Sequence, residues 1–83
     1  MKTFKLTVSS MDGEIFSGEA VSLSLRGADG DLAVLPGHAP FITSVVECEC
    51  KICQEDSKIT SVKCKSGLLC VSKDEAVLTL RLE

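Results

Sequence analysis

The sequence predicts an all-β domain of about eight to ten short strands, arranged as a sandwich or barrel. Three observations carry this reading. Apolar residues return at every second position in one run after another, and Asp-Gly and similar turn signals punctuate the runs at short intervals. No window of about 11 residues or more sustains the 3.6-residue apolar period of a helix.

The first run alternates Phe4, Leu6 and Val8 with Lys5 and Thr7, so one face of a strand turns inward. "MDGE" then supplies an Asp-Gly reversal, which suits the positive backbone angles of a tight hairpin. Val21, Leu23 and Leu25 alternate with Ser22, Ser24 and Arg26, and "ADGD" supplies the next reversal. Ser66-Gly67 and Lys73-Asp74 mark further turns before Leu78, Leu80 and Leu82 alternate with Thr79 and Arg81. β-Branched residues are common where the alternation is clearest. No linker, repeat or low-complexity tract divides the chain, so residues 1–83 read as one domain.

Size and charge restrict what such a domain does. A chain of 83 residues buries only about 60% of its unfolded surface, which favours a docking surface over a deep reactive pocket. Nine Lys and Arg against twelve Asp and Glu give a net charge of −3, with no basic cluster to displace counterions from a polyanion. Nucleic acid is therefore not an expected partner. "MKTFKLTVSS" lacks the apolar run of a signal peptide, and no stretch nears the roughly 20 apolar residues that span a bilayer. A soluble, cytoplasmic chain is the expectation.

Three features invite a chemical reading. His38, the single histidine, lies between two prolines in "LAVLPGHAPF", but general-base or ligand chemistry needs partners that one histidine does not provide. "ECECKIC" places Cys48, Cys50 and Cys53 at C-x-C-x-x-C spacing, with Cys64 and Cys70 further on, and four thiolates would suffice for structural zinc. On a regular strand, however, Cys48 and Cys50 face one way about 7 Å apart while Cys53 faces the other. Cysteine as a small buried hydrophobe is the favoured reading, with no metal. Five cysteines, an odd count, without a secretion signal fit a reducing compartment. "GADGD" lacks the spaced oxygen ligands and closing glutamate of a calcium loop, and reads as an exposed hairpin able to carry contacts.

Taken together, "FKLTVSSMDGEIFSGEAVSLSLRGADGDLAVLPGHAPFITSV" resembles, nearly position for position, the N-terminal domain of the epsilon subunit of bacterial F-type ATP synthases. The specific parts are the "FSGEA" turn, the hairpin "GADGDLAVLPGHAP" and the later "KSGLLCV". The resemblance implies a flattened β-sandwich of about ten mostly antiparallel strands in two sheets. It implies a non-catalytic rotor subunit of the central stalk, without a cofactor, binding the gamma subunit and the ring of c subunits and coupling ion translocation to ATP synthesis. It places Ser10, His38 and Thr43 on the gamma-facing surface, and Gly27, Ala28, Asp29, Gly30 and Asp31 on the loop that meets the c-ring. It further implies a protein peripheral to the cytoplasmic face of the bacterial membrane, soluble and monomeric when isolated. Family members often continue into a pair of helices that regulate ATP hydrolysis; this sequence ends at Glu83, so no such arm is expected. The alternative readings are a cysteine-rich thiol or metal-binding module on the same scaffold, and an adaptor working outside the synthase.

Overall fold

The alternating runs become nine strands in a computed structural model, which describes residues 2–82. In chain order these are β1 (Phe4–Ser10), β2 (Gly13–Ala20), β3 (Ser22–Gly27), β4 (Gly30–Val34), β5 (Phe41–Val45), β6 (Cys48–Cys53), β7 (Ile59–Cys64), β8 (Ser66–Ser72) and β9 (Glu75–Arg81). There is no helix among the described residues. The strands run in the order β2-β1-β9-β8-β5-β3-β6-β7, with β4 on the free side of β3. Among the described residues only β1 and β9 are parallel; every other pairing is antiparallel.

The path is continuous, yet it contains one narrow point. β5 meets β3 through a single register pair, Gly27 with Val45, flanked by Ala28 N–H to the Ser44 carbonyl and Val46 N–H to the Arg26 carbonyl, both 3.1 Å. The sheet curls over there into two halves, β2-β1-β9-β8-β5 and β4-β3-β6-β7, which is how one hydrogen-bonded sheet makes a sandwich. Leu6, Val8, Leu69 and Leu78 from the first half and Leu23, Val34, Cys50 and Ile52 from the second are all essentially inaccessible and share one core. Among the described residues no polar or charged side chain is buried. The result is flattened, 34 × 23 × 19 Å.

Several boundaries differ from the sequence expectation for local reasons. The tight loops of the first two hairpins are Met11-Asp12 and Ala28-Asp29, with the glycine of each Asp-Gly pair opening the returning strand, because Ser10 pairs with Gly13 and Gly27 with Gly30. "FSGEA" is not a turn but the body of β2, Phe16 pairing with Val8 and Ala20 with Phe4. Ser66-Gly67 is likewise inside a strand; Lys65 alone bridges β7 and β8, which lie in different halves. Lys73-Asp74 is a two-residue turn as expected, since Ser72 pairs with Glu75.

A register row, Gly27–Val45–Gly67–Leu80, crosses the fold where it curls. A methyl group on Gly67 would lie 2.7 Å from the Thr79 carbonyl oxygen and 2.8 Å from Leu80 Cδ2. Backbone cannot move aside as a side-chain tip can. Gly67→Ala should therefore lower stability by about 1–3 kcal/mol, the usual cost of overpacking a fixed site. Gly18→Ala, whose methyl would meet only Phe16 at an ordinary 3.6 Å, should cost nothing comparable. Urea unfolding midpoints of the two variants check this, and equal midpoints would contradict the role given to Gly67.

Candidate functional site

The geometry of "LPGHAP" accounts for His38. The His38 N–H donates to the Leu35 carbonyl at 3.2 Å, and Gly37 between them has φ 81°. With Pro36 at the second position and glycine at the third, this is a type II turn, which presets one backbone angle and needs φ above zero at the next. The exposed imidazole is then steadied from two sides: Nδ1 lies 3.1 Å from the Ala39 carbonyl and the ring packs on Phe41 at 5.1 Å. A shallow cleft beside it is lined by Phe4, Val71 and Glu75.

The other residues singled out by sequence lie elsewhere on the molecule. Gly27 is buried at the curl, whereas Ala28, Asp29, Gly30 and Asp31 are exposed at the β3–β4 tip. Asp31 accepts a 2.9 Å hydrogen bond from Arg26 Nε across the hairpin, an ion pair whose side chains are 58% and 80% exposed and therefore contribute little to stability. Ser10 closes β1 at the same end, in a surface hollow with Met11, Leu80 and Arg81. The His38 turn is at the far end, since β9 begins beside it at Glu75 and reaches the curl at Leu80, about 17 Å later. Thr43 lies between the ends, but it alternates in phase with Phe41 and Val45, so its half-buried side chain is on the inner face near Gly27. The structure thus groups Ser10 with the 27–31 hairpin and separates both from His38.

A surface that the sequence reading missed runs between them. Ile42, Cys70 and Val77 are successive partners across β5, β8 and β9, all on the outward face. Ser44, Leu68 and Thr79 form the next row, followed on β1 by Thr7 and Ser9. Ile42 is 69% and Leu68 50% exposed. Across β5, β8, β9 and β1 no charged side chain enters these two rows; Glu14 follows Ser9 on β2, and Lys5 with Glu75 at one end and Arg81 at the other flank them. The outer face of the opposite half carries Arg26, Glu49, Lys51 and Lys63 instead. The signal was present in the sequence, as apolar residues at positions that the alternation assigns to solvent.

The thiols are the clearest correction. Cys48 pairs directly with Cys64 across β6 and β7, and Cys50 lies two residues further along the same face. Sulfur atoms of Cys48 and Cys50 are 3.9 Å apart, those of Cys50 and Cys64 4.0 Å, and all three lie within 4.8 Å of one another. Strand pleating does turn Cys53 away, as expected, with its sulfur 3.7 Å from the Gln54 carbonyl. Convergence has two sources: Cys48 and Cys50 lean together along β6, to 3.9 Å between sulfurs where the strand repeat alone gives about 7 Å, and Cys64 joins them from the partner strand. Only Cys50 and Cys64 are fully buried; Cys48, Cys53 and Cys70 are half-buried, so the core-filler reading describes two of the five.

The profile of the family described as ATP synthase, Delta/Epsilon chain, beta-sandwich domain, matches residues 3–81. The chain belongs to this family. It is 30% identical over 73 residues to an ATP synthase epsilon chain of Cutibacterium acnes, covering 88% of this chain and 50% of that one. It is 35% identical over 80 residues to the epsilon chain of Ruminococcus albus, covering 96% and 59%. The chain thus spans between half and three-fifths of the length of these relatives. Among solved structures, a chain of the Euglena gracilis mitochondrial ATP synthase, in an OSCP/F1/c-ring assembly, superposes with TM-score 0.88 at 18% identity, over 94% of this chain and 50% of that one. A chain of the Tetrahymena thermophila mitochondrial ATP synthase central stalk and c-ring gives 0.81 at 8% identity, over 96% and 64%. At those identities the likeness is one of fold. The β-sandwich of the family and the curled nine-strand sheet are the same architecture.

Within this delta/epsilon sandwich the buried thiols carry a pH dependence. Burial pushes the Cys50 and Cys64 thiols above their ordinary value of 9.0, and the neighbouring sulfurs raise Cys50 further. Above about pH 9 the unfolded chain loses thiol protons that the folded chain keeps, so unfolding releases protons and stability falls as pH rises. Below that pH the contribution is constant. For reduced, chelator-treated protein, the fall in denaturation midpoint above about pH 9 should be shallower in Cys50→Val than in the parent. Identical slopes would show that the buried thiol does not titrate differently in the two states.

Proposed function

We propose that this chain is a non-catalytic rotor subunit of an F-type ATP synthase, binding the gamma subunit through one surface and the c-ring through another. The observation that carries the reading is the charge-free centre of the outer face of β5, β8, β9 and β1, with Lys5 and Glu75 at one end and Arg81 at the other, on a scaffold of the delta/epsilon family. Ile42, Leu68 and Val77 there are exposed and bordered by hydroxyls, the composition of an interface core that excludes charge. That face, with His38 at one end and Ser10 at the other, is assigned to gamma. The tip at Ala28, Asp29, Gly30 and Asp31 is assigned to the polar loops of the ring, where carboxylates meet basic groups. In this arrangement residues 2–82 act as one rigid body.

Coupling on this reading needs no bond chemistry. The two halves share one core, so force applied at the hairpin tip passes to the outer face without a hinge between them. Engaging two partners at once also makes the second contact intramolecular, which raises effective concentration without a tight single interface. Individual exposed ion pairs at the ring are worth about 0–1 kcal/mol, so attachment rests on several contacts and on shape.

The test separates the two surfaces. Ile42→Glu combined with His38→Glu should weaken binding to a purified gamma subunit by at least tenfold, with little change in thermal stability because both side chains are exposed. Thr43 is left intact because a charge there would enter the inner face. Asp29→Lys with Asp31→Lys should leave gamma binding within about twofold and reduce attachment to vesicles holding the c-ring. Failure of the parent chain to bind gamma at micromolar concentration, or loss of gamma binding in the hairpin variant alone, would overturn the assignment.

A further inference from the structure

We propose that Cys48, Cys50 and Cys64 form a three-thiolate site for a single soft d10 cation, copper(I) or zinc(II). The inference goes beyond the rotor reading and does not depend on it.

The argument begins with distance. A metal–sulfur bond of about 2.3 Å places ligand sulfurs about 4.0 Å apart in a trigonal plane and about 3.8 Å apart on a tetrahedral edge. Two of the three separations here are 3.9 and 4.0 Å. The three sulfurs already lie within 4.8 Å of one another, so closing the triangle needs less than about 1 Å of adjustment. The strands supply this arrangement through register, with Cys48 opposite Cys64 and Cys50 on the same face. It does not depend on a flexible loop.

The surroundings meet the remaining requirements of a metal site. The Arg26 backbone N–H points to Cys48 Sγ at 3.4 Å, a hydrogen bond of the kind that orients a thiolate ligand. Cys48 also lines an open groove of about 630 Å³ with Ser24, Arg26, Glu47 and Glu49, which gives an ion a route from solvent. Cys50 and Cys64 close the inner side within the core. An all-sulfur set selects soft ions and discriminates against magnesium and calcium. Copper(I) is satisfied by three sulfurs; zinc(II) takes a water from the groove as its fourth ligand. Each thiol gives up its proton to solvent as its sulfur coordinates, so up to three protons leave per ion bound, and no oxidation or reduction of the protein is involved.

The experiment uses the reduced, chelator-treated chain under anaerobic conditions, titrated separately with copper(I) and zinc(II) against chromogenic chelators. One equivalent of at least one ion should be retained, with X-ray absorption showing a first shell of three sulfurs. Cys48→Ser, at a half-buried position, should lower the affinity at least tenfold, whereas Cys53→Ser and Cys70→Ser should leave it unchanged. Retention of neither ion at micromolar protein, a shell dominated by nitrogen or oxygen, or equal losses in Cys53→Ser and Cys48→Ser would overturn the site. The X-ray absorption measurement needs no variant, so it decides the matter even if Cys48→Ser fails to fold. Because gamma plays no part in the assay, failure here leaves the rotor reading to its own test.

Discussion

The fold depends on a close approach at one place, the inward row Gly27–Val45–Gly67–Leu80 where the sheet curls. Two glycines alternate there with two large side chains, and the space that each glycine leaves is already occupied. Leu32 Cδ2 lies 2.8 Å from where a Gly27 methyl would be, and Leu80 Cδ2 lies equally close to that of Gly67. A twisted sheet with one apolar face must cover that face, and no helix among the described residues is there to do so. Folding over on itself is the available solution. A methyl at Gly67 would press on the Thr79 carbonyl, which cannot yield, whereas one at Gly27 would meet closely only the tip of Leu32.

That constraint also distributes the surfaces. The curl holds the base of the β3–β4 hairpin through the Ser44 and Arg26 carbonyls, so the acidic tip projects from the same corner that joins the halves. The type II turn carrying His38 closes the opposite end. Between the two ends, the outer faces differ in character, one bearing Ile42, Leu68 and Val77 and the other Arg26, Glu49, Lys51 and Lys63. On the proposed reading, the face with the charge-free centre meets the stalk and the tip meets the ring, while the opposite face stays solvated. The thiol cluster lies on the inner side of that charged half, away from the proposed gamma surface, so an ion bound there would leave the partner face unchanged.

Much of the fold was legible because strand alternation is a local property. A two-residue period places Leu6 and Val8, Leu23 and Leu25, and Leu78 and Leu80 inward, and all are buried, whereas Val21 and Leu82, given the same phase, fall just outside β3 and β9, with Leu82 38% exposed. What was not legible depends on which strand lies beside which. Cys48 and Cys64 are 16 positions apart in sequence, and only the β6–β7 pairing makes them neighbours. Thr43 shares a strand with Ile42, yet resemblance to a family's surface residues could not say which of the two points outward here. Ser66-Gly67 looked like a reversal because glycine marks turns, whereas this glycine is required by a neighbouring carbonyl. Period determines inside and outside; register determines contact.

The central claim is that the face bearing Ile42, Leu68 and Val77 is the one that meets the stalk. The most direct measurement is methyl NMR of the chain titrated with purified gamma subunit. The account predicts that the largest shifts and broadening fall on Ile42, Leu68 and Val77, while Val62 and Ile59 on the opposite half remain in place. Perturbation centred on β6 and β7, with Ile42 and Leu68 unmoved, would contradict it.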